Sequence, residues 1–168
     1  MARKIDRNTA ETVIGTLYPP PFDEPCRARQ RQRLGDAAGL TQFGVNILTL
    51  PPGAWSSQRH WHVEEDEFVY VLAGEVTLVT DAGEELLRPG DAAGFKAGEP
   101  NGHHLQNRSN APATLLEIGS RRTGEVAYYP DIDMIAPAHG DPALYTRRDG
   151  TPYEASERHA APTPDASE

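Results

Sequence analysis

Cysteine is almost missing from this chain: Cys26 is the only one in 168 residues. An intramolecular disulfide is therefore excluded. A reducing cytoplasm is the expected location, and Cys26 reads as an inert thiol in a proline-rich segment. Long apolar runs are missing too. No stretch approaches the roughly 20 residues that a membrane-spanning helix needs. The basic residues near the start are not followed by the apolar core of a secretory signal, so no membrane is expected as a partner. Acidic residues outnumber basic ones, 25 against 16, for a net charge of −9. A nucleic-acid binder ordinarily presents a clustered basic face, so nucleic acid is not an expected partner either. Convincing amphipathic helices are the last absence, which leaves strands and turns.

Turn formers are plentiful, with 15 Gly and 15 Pro. Their signals recur about every ten residues between short alternating or apolar runs, the pattern of an all-β sandwich or barrel. Residues 1–38 carry Pro19, Pro20, Pro21 and Pro25 and read as an extended N-terminal arm. Arg27, Arg29, Arg31 and Arg33 fall at every second position and would share one face of a strand. We expect that face to be a solvated edge that discourages strand addition, with an anionic ligand or a dimer partner as the alternative. Residues 39–122 hold the strand candidates and form the expected barrel. Residues 123–153 read as ordered loops packed on it, and 154–168 as a disordered tail with almost nothing to bury.

Chemistry concentrates in two histidine patches, His60 with His62 and His103 with His104. Strand alternation puts the imidazoles of His60 and His62 on one face and Trp61 on the other. Glu67 opens the next strand and can reach back to both rings if the two strands are neighbours. Glu64, Glu65 and Asp66 fall in the intervening turn and are expected to stay in water. Imidazole nitrogen with a carboxylate oxygen suits a divalent transition metal (Fe, Mn, Ni, Cu or Zn) better than Ca or Mg.

The spacing of Gly53, His60, His62, Glu67 and Gly74 resembles the first signature of the cupin superfamily. Pro89, Gly90, Asp91, Gly98, His103 and Asn107 resemble the second. The sequence departs from that pattern in three places. Six residues rather than five separate Gly53 from His60, Lys96 stands at a usual proline, and four residues lie between Gly98 and His103. The resemblance implies a double-stranded β-helix, a jelly-roll barrel, holding one divalent metal (Fe, Mn, Ni or Zn) on His60, His62, Glu67 and His103. His103 is chosen for its spacing to Asn107 and the face it shares with Leu105; His104 is its rival.

The same resemblance implies a small-molecule ligand in a pocket expected to include Gln58, Val69, Val71, Lys96, Leu105 and Asn107. Its functional menu includes sugar or sugar-phosphate isomerases, Fe(II) dioxygenases, and binding or sensor modules without turnover. An apolar pocket of Val69, Val71 and Leu105 would favour an aromatic or diketone substrate. Lys96 and Arg59 are the nearest candidates to grip phosphate, although alternation turns Arg59 away. Glu99 and Glu117 are general-base candidates by type only and read as surface carboxylates. Tyr128 and Tyr129 are expected to pack the C-terminal loops. Phe68 and Tyr70 alternate with the inward set, so their face should be covered by the N-terminal arm or by a second subunit, and a homodimer is expected.

Overall fold

The computed structural model describes residues 4–137 and 144–154. Among these the strands are β1 (Thr12–Ile14), β2 (Gln30–Arg33), β3 (Phe43–Leu50), β4 (Trp61–His62), β5 (Glu67–Ala73) and β6 (Val76–Thr80). They continue with β7 (Gly83–Leu87), β8 (Ala92–Phe95), β9 (His104–Gln106), β10 (Ala113–Ser120), β11 (Ala127–Tyr129) and β12 (Met134–Ala136). The α-helix of this region is the four-residue α1 (Leu34–Ala37). Among the described residues no helix is long and apolar enough to cross a membrane.

The strands form a six-stranded sheet, β1-β2-β3-β10-β5-β8, and two three-stranded ones, β7-β6-β9 and β12-β11-β4. Period-2 alternation builds the core between the large sheet and β7-β6-β9. Leu48, Leu50, Val69, Val71, Ala113 and Leu115 meet Val76, Leu78, Leu87 and Leu105. Register makes this interior change character along its length. Leu48 lies opposite Leu115, and Leu115 opposite Val71, so one end is apolar. Two residues further along each strand, Asn46 faces Glu117 and Glu117 faces Val69. Two further still, Gly44 faces Gly119 and Gly119 faces Glu67. The barrel is thus dry at one end and polar at the other. At the polar end Gly119 leaves room for a side chain: a Cβ there would lie 3.7 Å from Glu67 Cγ.

The turn between β5 and β6 depends on Gly74, whose φ is +72°. A Cβ there would sit 2.6 Å from the Pro112 carbonyl oxygen and 2.7 Å from Ala113 Cα, both backbone atoms that cannot swing aside. Gly74→Ala combines left-handed strain with a clash and is expected to cost about 2–4 kcal/mol, measured by urea denaturation.

Three expectations about the flanking segments need correction. The N-terminal stretch does not merely lie against the barrel: β1 pairs with β2, and β2 with β3, so both extend the large sheet. The arginine stretch is not a solvated edge. β2 has a neighbour on each side, Arg29 is buried, and Arg31 reaches Glu117 on β10 with both ends of its fork. Residues 123–153 were expected as loops, yet they supply β11 and β12. β11 pairs with β4 through Ala127 opposite His62 and Tyr128 opposite Trp61. Tyr128 stacks on Trp61 at 5.0 Å, which braces the strand carrying His62. The expected tail, 154–168, lies almost wholly outside the described residues. Cys26 is a buried free thiol, pushed up to about 11 chiefly by burial, in keeping with an inert side chain.

Candidate metal centre

Backbone pairing brings the two histidine patches together. His60 and His103 form an antiparallel bridge, with His103 N–H donating to His60 O at 2.9 Å and His60 N–H to His103 O at 3.2 Å. β5 then presents Glu67 to both. Its Oε2 lies 2.9 Å from His103 Nε2, 3.4 Å from His62 Nε2 and 3.6 Å from His60 Nε2. Ligand atoms of His60, His62 and Glu67 all fall within 4.8 Å of one another, a spacing that could hold a metal ion.

Two of the three rings are fixed from behind, while Nδ1 of His103 is buried without a hydrogen-bond partner. Ring nitrogen Nδ1 of His60 donates to the Gln58 carbonyl oxygen at 2.9 Å, and that of His62 to Glu125 Oε1 at 2.9 Å. In neutral imidazole this places the Nε2 lone pair inward, the arrangement metal-binding histidines use. Phe95 stacks on His103 at 3.6 Å with the rings 2° from parallel, and Tyr129 stacks on His60 at 5.7 Å. His62 Nε2 is buried and has no hydrogen-bond partner, which is costly unless something accepts its lone pair. His60, His62 and Glu67 at ligand spacing, with the third imidazole of His103 against the same carboxylate oxygen, have the donor chemistry that suits a divalent transition metal.

The charges respond to this crowding. Burial opposes a charge on His60 and takes it down to about 3, against the pull of Glu67. Burial also opposes a charge on His62, but Glu67 and Glu125 together outweigh it and raise this histidine to about 9. Burial disfavours the Glu67 carboxylate, yet the hydrogen bond from His103 and the neighbouring His62 hold it well below the usual carboxylate range.

His104 turns the other way. Its Nδ1 meets the Ser57 carbonyl oxygen at 3.0 Å, its Nε2 meets Gln106, and its ring packs edge-on to Trp55. A second candidate cluster, His62 with Glu65 and Glu125, also falls within ligand spacing. There Glu125 already accepts from His62 Nδ1, Val63 N–H and Glu64 N–H, and Glu65 from Arg122 N–H. Those carboxylates serve the backbone and the ring behind the site.

A cavity of about 380 Å³ opens over the four converging residues. Val69 and Leu105 line it as expected, but most of its wall is polar, including Arg29, Arg31, Asn46, Ser57 and Glu117. The other expected pocket residues lie elsewhere. Val71 is fully buried in the core. Gln58 spends its amide on the Phe22 carbonyl at 2.6 Å. Asn107 braces its own loop by donating to Leu50 O and Ala111 O. Lys96 lines, with Glu99, a small cleft of about 40 Å³ that adjoins the cluster through His62 and His103 but does not belong to the main cavity wall. Arg59 is taken by Asp131 and Asp81.

Glu117, expected at the surface, is instead held inside by Arg31 Nε at 2.6 Å and Nη2 at 2.9 Å. A lone charge in the apolar run Leu115 to Ile118 was the available signal for it. Glu125 had no such signal, because its partners lie some 60 residues away in sequence.

The fold and this cluster agree with comparison to known proteins. The Cupin domain family profile matches residues 46–119. A crystal structure from Silicibacter pomeroyi, described as a sugar phosphate isomerase from a cupin superfamily, is 48% identical with a TM-score of 0.85. The match covers 91% of this chain and 98% of that one. A candidate sugar phosphate isomerase from Acidithiobacillus ferrooxidans is 28% identical, with a TM-score of 0.69 over 79% of this chain and 82% of that one. The polyketide cyclase RemF from Streptomyces resistomycificus, at 22% identity and a TM-score of 0.57, shares the fold over 71% of this chain and 80% of its own. No curated protein matches. The chain belongs to the cupin superfamily, and its fold is the cupin β-barrel.

Proposed function

We propose that this protein is a metal-dependent enzyme of the sugar or sugar-phosphate isomerase kind, with the metal held by His60, His62, Glu67 and His103. The observation that carries this reading is the polar wall over the cluster. A cavity lined by Arg31, Asn46, Ser57 and Glu117 suits a hydroxylated ligand and would strand an aromatic or diketone one against charged groups. That sets the dioxygenase reading behind the isomerase one. The 48% identical Silicibacter pomeroyi protein, described as a sugar phosphate isomerase, supports the same choice. A divalent metal bound there would polarise a carbonyl and its neighbouring hydroxyl. The chain's own side chains contribute donors in Asn46 and Ser57 and an acceptor in Glu117, which orient the hydroxyls.

The test is proton NMR in D₂O of metal-loaded protein with aldose phosphates of four to six carbons. Interconversion with the ketose, and deuterium gained next to the carbonyl, are expected. Saturable binding of the same compounds without conversion or exchange would contradict the enzyme reading and favour a binding or sensor module.

The partner we propose is a second copy of the chain. Phe68, Tyr70 and Leu72 leave 41%, 38% and 45% of their surfaces exposed on one face of β5. Leu116 and Ile118 on β10 extend the strip, being opposite Tyr70 and Phe68. The N-terminal strands lie beside β3 in the same sheet and leave that face open. Light scattering at micromolar concentration is expected to give a dimer, with Tyr70→Glu shifting it to monomer. A monomeric wild type would refute the dimer.

A further inference from the structure

Among the described residues, the Arg31–Glu117 pair is the ionic pair with both members on the cavity wall that the metal cluster does not use. It joins β2 to β10 across β3: Arg31 stands opposite Leu48, and Glu117 opposite Asn46. Glu117 is also opposite Val69, two residues along β5 from Glu67, so Glu117's row lies about 7 Å from the row of the metal cluster, and Arg31 reaches it from the next row inward. The fork is not saturated. Arg31 gives Nε and Nη2 to Glu117, and its Nη1 has no hydrogen-bond partner among the described residues. Its side chain keeps 30% of its surface exposed. Arg29, on the same wall, is buried and donates to neutral acceptors: Gly15 O, Thr16 Oγ1 and Ser56 O.

Of the three arginines on the wall, Arg29 is taken by neutral acceptors and Arg121 is paired with Asp36. That leaves Arg31 as the planar guanidinium with an open N–H, a geometry that suits a phosphate or carboxylate oxygen.

We propose that Arg31 is the anion-recognising residue of the cavity, taking the phosphate of a phosphorylated substrate while Glu117 competes for the same guanidinium. The proposal rests on the cavity being the substrate site and names the end of the substrate away from the metal. Glu117 acts as an internal stand-in for the anion, since it occupies the fork when no ligand does. Opposite effects follow from the two members of the pair. Arg31→Gln removes the donor and weakens anion binding. Glu117→Gln removes the rival charge and strengthens it.

Isothermal titration of inorganic phosphate into the manganese-loaded full chain tests this, with acetate as the second probe. Phosphate is expected to bind more tightly than acetate. Loss of a charge-assisted contact should weaken phosphate by about tenfold or more in Arg31→Gln. Glu117→Gln should tighten it several-fold, and Arg31→Lys, which keeps the charge but loses the fork, should fall between wild type and Arg31→Gln. Circular dichroism and elemental analysis establish that each variant is folded and metal-loaded. Joint weakening in Arg31→Gln and Glu117→Gln would mark the pair as merely structural and overturn the proposal. So would unchanged affinity in both, equal binding of acetate, or no binding of phosphate to wild type. A protein that shows the opposed shifts but converts no aldose phosphate keeps the anion site and loses the isomerase reading. Conversion without the shifts does the reverse.

Discussion

Glu67→Gln is expected to purify without stoichiometric metal, its affinity lowered by more than about a hundredfold. Loss of an outer hydrogen-bond partner already costs 10- to 100-fold at metal sites, and Glu67 is proposed as a direct ligand and the only anionic one. The amide has nearly the same shape, so packing against Gly119 and the three rings should survive. What disappears is the charge on which His60, His62 and His103 converge. Elemental analysis of the variant beside wild type checks it, with circular dichroism to establish the fold. Retention of a full equivalent of metal would remove Glu67 from the ligand set.

Glu125→Ala should carry the second large effect, on stability and metal affinity together. This buried carboxylate accepts from His62 Nδ1, Val63 N–H and Glu64 N–H, so its removal orphans three donors at once. A cost of about 2–4 kcal/mol in urea denaturation is expected, with metal affinity reduced about 10- to 100-fold as the His62 ring loses its anchor. The metal-free protein adds a pH signature. His62 rises from 6.5 to about 9, so its contribution to stability is complete below pH 6.5 and is lost as the pH climbs through about 9. Denaturation of chelated wild type at pH 6 and pH 9.5 should show that loss, and Glu125→Ala should blunt it. A variant as stable as wild type, with unaltered metal content, would mean that His62 is oriented by something else.

Which parts of this site were legible in the sequence follows from the range of the interactions. His60, His62 and Glu67 lie within eight residues of one another, and strand alternation places them on one face with no tertiary knowledge. The alternation of Glu67, Val69 and Val71 disclosed the inward face of β5 in the same way, although extending it to call Val71 a pocket residue went too far. The inward row of β5 changes from Glu67 at the open end to Val71 in the dry core, and period-2 logic says which face a residue takes but not how deep it lies. Arg31 and Glu117 are 86 residues apart, so their pairing depends on β2 and β10 flanking β3, a topology that no local pattern encodes. Arg29 illustrates the same limit. A basic stretch normally faces water, and only the presence of β1 beyond β2, with Gly15, Thr16 and Ser56 offering acceptors, turns it inward. Asn107 carried the right spacing for the second motif, but its amide closes the loop to Ala111 rather than facing a ligand.

The central claim is that one metal sits where three imidazoles and Glu67 converge. Its most direct test is elemental analysis of anaerobically purified wild type together with His62→Ala. The account predicts about one equivalent of iron, manganese, nickel or zinc in wild type and little in the variant. A wild type without stoichiometric metal, or a variant that keeps it, would contradict the account.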